Sequence, residues 1–139
     1  MEKRGGAYRY LPTTGDPLDL LSIVRQIDQR GNGADGFIKD EDWFAMTRAG
    51  NRPDVVRRVF EGATQGVVNR ASVIVNLEDG FYTGSSFLDT LSVLRATHGN
   101  IGPGQSYGFV MNTARDLPLY VRAGDLWKAL GLENSHERS

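Results

Sequence analysis

The sequence predicts an α/β fold: a partial layered α/β sandwich in which a short mixed sheet is flanked by helices. Three observations predict it. Helical segments opened by proline or acidic residues alternate with short β-branched or aromatic runs, as a layered α/β arrangement requires. Seventeen glycines and five prolines in 139 residues point to many tight connections rather than a helical bundle. The length allows one domain with a real core, so residues 1–139 are expected to form a single α/β unit.

Taken in order, residues 1–6 are charged and glycine-rich and are expected to fray. Ala7-Tyr8-Arg9-Tyr10-Leu11 alternates aromatic with polar and reads as a short, half-buried strand. After the turn at Thr13-Thr14-Gly15, Asp16-Pro17 opens a helix: aspartate accepts orphan backbone N–H groups and proline fits the first helical position. Leu18, Leu21 and Val24 mark its apolar face, and Gly31-Asn32-Gly33 stops it after Arg30. That face is expected to pack on the chain's own sheet.

Asp35 to Lys39 reads as a turn and a very short extended piece. Asp40-Glu41-Asp42 opens a second helix carrying Trp43, Phe44 and Met46, with acids where the macrodipole favours them. Consecutive helical residues point apart, so this triplet reads as a helix start with solvated charges rather than as a metal site. Pro53-Asp54 leads a third helix through Val55, Val56, Val59 and Phe60 to about Thr64, with Arg57 and Arg58 on a solvated face.

Val73-Ile74-Val75-Asn76-Leu77 is the strongest strand pattern and is expected to lie centrally in the sheet. It ends at Glu78-Asp79-Gly80, the strand end that faces ligand in open α/β sheets. Phe87 to Leu94 fits a short helix or a strand equally well. Tyr107 to Met111 reads as a second strand. Ala123 to Leu130 makes a last amphipathic helix stopped by Gly131, and residues 133–139 are expected to fray.

Composition narrows function more by exclusion. A net charge of −1 offers no cationic excess for nucleic acid or an anionic membrane surface. The absence of cysteine excludes disulfides, thiolate metal sites and cysteine nucleophiles. No apolar run approaches the roughly 20 residues that span a bilayer, and no signal-peptide pattern opens the chain, so a cytoplasmic location is expected.

Chemistry-bearing residues are few. His98 closes an apolar run and precedes the Gly/Pro-rich loop Gly99 to Gly104, while the second histidine, His136, reads as a solvated tail residue. A catalytic zinc takes at least three protein ligands, and the chain offers only Glu78 and Asp79 at one strand end and Asp89 near His98, at most a weak, oxygen-rich site. The loop is able to offer backbone N–H groups to an anion, but it lacks the lysine and spacing of a P-loop. A tight turn is its default reading. Ser85, Ser86 and Ser106 need an oriented base to act as nucleophiles, and no Gly-x-Ser-x-Gly elbow occurs.

Several of these pieces form a familiar order: Gly15-Asp16-Pro17-Leu18, Asp40 to Phe44, Pro53-Asp54, Val73 to Leu77, Asp79 to Gly84, and Ala96-Thr97-His98-Gly99. From about Tyr8 to Leu132 the chain resembles the C-terminal portion of the alkaline phosphatase and nucleotide pyrophosphatase/phosphodiesterase superfamily. The most specific element is Thr97-His98-Gly99 followed by Ser106, Gly108 and Phe109. The resemblance implies a two-metal site, usually zinc, in which a Ser or Thr nucleophile attacks a phosphate ester. It assigns a metal-ligand role to His98 alone.

The family's other ligands come from Asp-x-x-x-His and Asp-His-Gly motifs, and neither occurs here. The resemblance therefore implies a fragment without catalytic residues of its own, joined by self-association or by a complementing chain. The alternative, from the residues themselves, is a non-catalytic α/β interaction module in which His98 is structural.

Overall fold

The computed structural model describes residues 1–29, 31, 34–65, 67–69, 71–77 and 100–132. They fall in two compact units, Met1–Tyr107 and Gly108–Ser139.

In the first unit, the opening residues build structure instead of fraying. Strands β1 (Glu2–Arg4) and β2 (Ala7–Arg9) form an antiparallel hairpin with Lys3 opposite Tyr8. The two-residue loop is Gly5-Gly6, and Gly5 sits at φ 58°, in the region glycine reaches without strain. Strand β3 (Ile38–Lys39) pairs antiparallel on the other side of β2, placing Tyr8 opposite Ile38. The sheet among the described residues thus runs β1-β2-β3 and is antiparallel throughout, where a mixed sheet was expected.

Among the described residues of this unit, three α-helices accompany it: α1 (Leu21–Gln29), α2 (Asp40–Thr47) and α3 (Val55–Thr64). Helix α1 starts later than Asp16-Pro17 suggests, because Asp19 adopts φ 55° and interrupts the helical path. Asp16 still caps it: the carboxylate accepts the N–H of Leu20 at 3.0 Å and of Leu21 at 2.8 Å. At the other end Gly31, at φ 74°, donates its N–H to the Asp28 carbonyl. Helix α3 follows Asp54, itself in the left-handed region, and ends at Thr64 as its apolar pattern predicts.

The core gathers the inward residues of these elements. Tyr8, Tyr10, Leu20, Ile27, Ile38, Trp43, Val55 and Val56 are buried, with Leu18, Leu21, Val59, Phe60 and Ile101 packed around them. Trp43 lies near the centre, 1% exposed, and its indole N–H donates to the Tyr8 carbonyl at 3.0 Å. That bond ties α2 to the middle strand and satisfies a polar group that burial would otherwise penalise.

The two predicted strands beyond the core are not strands. Val73 to Leu77 has no regular secondary structure and joins no ladder among the described residues, and Val73, Ile74 and Val75 are 77%, 56% and 70% exposed. Tyr107 to Met111 likewise forms no strand, with Phe109 and Met111 exposed. β-Branched residues favour a pleated, half-buried surface, and that preference has no expression without a paired neighbour.

In the second unit, the expected last helix is shorter than its pattern. A 3₁₀ turn at Ala123–Asp125 leads into α4 (Leu126–Ala129). Gly131, at φ 68°, donates to the Lys128 carbonyl and Leu132 to that of Trp127. These two bonds make a Schellman stop at the glycine the sequence nominates.

Truncating Trp43 to alanine should cost about 3–5 kcal/mol of unfolding free energy, read as a lowered urea midpoint by far-UV circular dichroism. Asp16→Ala should lower the thermal midpoint by several degrees, since it uncaps Leu20 and Leu21, while Asp16→Asn should recover part of the loss.

Candidate functional site

His98, Glu78, Asp79 and Asp89, the residues singled out for metal chemistry, lie outside the described residues. So do the second histidine, His136, and the serines Ser85 and Ser86. Among the described residues no group of three or more His, Cys, Asp or Glu is placed to hold a metal, so they supply no donor set that fits zinc. The Asp40-Glu41-Asp42 triplet diverges as its helical spacing requires. Asp40 meets Arg57 at 3.1 Å, and Glu41 meets Lys39 at 3.8 Å.

The Gly/Pro-rich loop folds as a tight turn around the 3₁₀ segment Pro103–Gln105. Its amides face acceptors of the chain itself. Asn100 donates to the Gln105 side chain, Ile101 to Asn76 Oδ1 at 3.0 Å, Gly102 to Asn100 Oδ1, and Ser106 to the Pro103 carbonyl. Donors engaged in this way are not an anion cradle. A side chain at position 102 would also collide with Asn100 Oδ1, since a Cβ there comes within 2.8 Å.

Ser106 is part of the same turn. Its hydroxyl accepts from Arg58 Nη1 at 2.7 Å and faces the carbonyls of Gly102 and Ile101. Arg58 also donates to the Pro53 carbonyl. These partners, a guanidinium and two carbonyls, make the geometry that of a latch between α3 and the loop. Arg57 and Arg58, expected on a solvated face, are both engaged in bonds that hold the unit together.

Beside this latch lies a cleft of about 600 Å³. Leu11, Leu18, Val59, Ile74, Val75 and Ile101 belong to its apolar lining. Thr13, Thr14 and Asn76 supply the few polar groups. Mostly apolar walls with a small number of hydrogen-bonding groups suit the binding of apolar matter.

Polar clasps hold this lining. The Tyr10 hydroxyl donates to Asp16 Oδ1 at 2.7 Å and accepts from the Leu18 amide at 3.2 Å, closing the 10–18 loop on itself. Burial pushes the Tyr10 phenol up to about 12, with the Asp16 carboxylate adding to the effect. Elsewhere in the lining, the Asn76 side chain accepts the Ile101 amide and joins two stretches far apart in sequence. Sequence reasoning missed both clasps, because neither a tyrosine nor an asparagine announces its partner.

A third clasp lies behind the cleft. Glu61 accepts from the Tyr8 hydroxyl at 2.9 Å, from Lys3 Nζ at 3.2 Å and from Arg57 Nε at 3.0 Å. Desolvation raises the Glu61 carboxyl, but the bonds from Arg57, Tyr8 and Lys3 outweigh it and hold the group down at about 2. Of this cluster only the Arg57–Glu61 pair carries a sequence signal, its i,i+4 spacing on α3, and Arg57 was instead expected on a solvated face.

No family model matches the chain, and no curated protein or solved structure matches it.

The carboxylate of Glu61 is favoured in the folded state, so its contribution is complete above the ordinary carboxyl value of 4.5 and is lost as pH falls towards 2. Its side chain is one-quarter exposed, so after solvent screening the contribution is on the order of 2 kcal/mol. Denaturation midpoints measured from pH 6 to pH 2 should fall less steeply in Glu61→Gln than in the parent. Equal slopes would remove Glu61 from the acid response.

Proposed function

We propose that this chain is a non-catalytic α/β interaction module that docks a second copy of itself or a complementing chain through the apolar cleft and its exposed Ile74–Val75 lining. The observation that carries the reading is the uncharged β-branched pair Ile74 and Val75, 56% and 70% exposed, in the lining of a cleft of about 600 Å³. Exposed apolar side chains beside a cleft suit burial against a partner surface. The polar clasps at Tyr10–Asp16 and Asn76–Ile101 support the reading, because preformed walls reduce the ordering that binding demands. A cytoplasmic setting belongs to the same reading. Among the described residues, no helix is long and apolar enough to cross a membrane.

The test is a double substitution, Ile74→Glu with Val75→Glu. The parent should bind a fluorescent hydrophobic-surface dye and show a mass by light scattering that rises with concentration. The double variant should lose both behaviours at an unchanged thermal midpoint. A parent that stays monomeric at high concentration and binds no dye would overturn the proposal.

A second reading rests on Thr97-His98-Gly99 and the order of motifs around it. It takes the chain as the C-terminal part of a zinc-dependent phosphatase or phosphodiesterase with a layered α/β sandwich. His98 would supply one ligand, and a complementing chain or second copy would bring the nucleophile and the other ligands for a phosphate ester. Zinc affinity, followed by competition with a chelating dye, should then drop at least tenfold in His98→Ala while the far-UV spectrum stays the same. Indistinguishable zinc binding by parent and variant would sink it.

A further inference from the structure

We draw no further inference here: the strongest candidate, the apolar cleft of about 600 Å³ lined by the Tyr10–Leu18 loop and the Ile74–Asn76 segment, belongs to the surface already described, and nothing in the structure shows what covers it.

Discussion

Tyr8 is the residue on which the described core depends. Its strand position lies between Lys3 and Ile38, so both sheet pairings run through it. Its carbonyl takes the Trp43 indole, its ring meets Phe60 edge-on at 5.6 Å, and its hydroxyl reaches Glu61. Four elements (β1, β3, α2 and α3) are thereby fixed to one side chain and one peptide group. A three-stranded sheet of two- and three-residue strands has few ladder bonds of its own. Such a sheet is marginal unless helices pack on it, and Trp43 and Phe60 supply that packing around Tyr8.

This arrangement also explains where the charged residues go. Lys3 and Arg57 converge on Glu61 from the hairpin and from α3, and Arg57 extends the contact to Asp40 at the start of α2. Surface ion pairs contribute little singly, but a carboxylate with three donors is held at several points at once. Burial also raises the Tyr8 phenol, which keeps it protonated and able to donate to Glu61. The polar cluster therefore fixes the direction of α3 against the hairpin. Val59, on that helix, becomes part of the cleft wall as a consequence.

What the sequence disclosed was local. The apolar spacing of Val55 to Phe60, the glycine stops at Gly31 and Gly131, and the turn before Ile38 follow from backbone preferences within a few residues, and the structure has all of them. Asp16 was legible as a cap, although Asp19 moves the helix start away from it. Pairing was not legible. The charged Glu2–Arg4 segment is a strand because Gly5-Gly6 folds it onto Ala7–Arg9, whereas the far more β-prone Val73 to Leu77 has no ladder partner among the described residues. The candidate site divides in the same way. The Gly99–Gly104 loop was read correctly as a turn over its described part, but its amide acceptors, Asn76 among them, come from side chains whose roles no motif encodes.

The exposed wall of the cleft is where local preference and tertiary structure disagree, and the size of that disagreement can be estimated. Fully burying a valine or isoleucine side chain contributes roughly 1.5–3 kcal/mol. Val73, Ile74 and Val75 together forgo a few kcal/mol by standing open, against a total stability of about 5–15 kcal/mol for an ordinary domain. A surface polar substitution at these positions would be nearly neutral for the described core, since none of the three belongs to the buried cluster. The apolar identity of the run is thus not required by Tyr8, Trp43 or the helices around them. It gains energetic meaning only when something covers the cleft, and a covering surface would add burial to walls already held by Asp16 and Ile101.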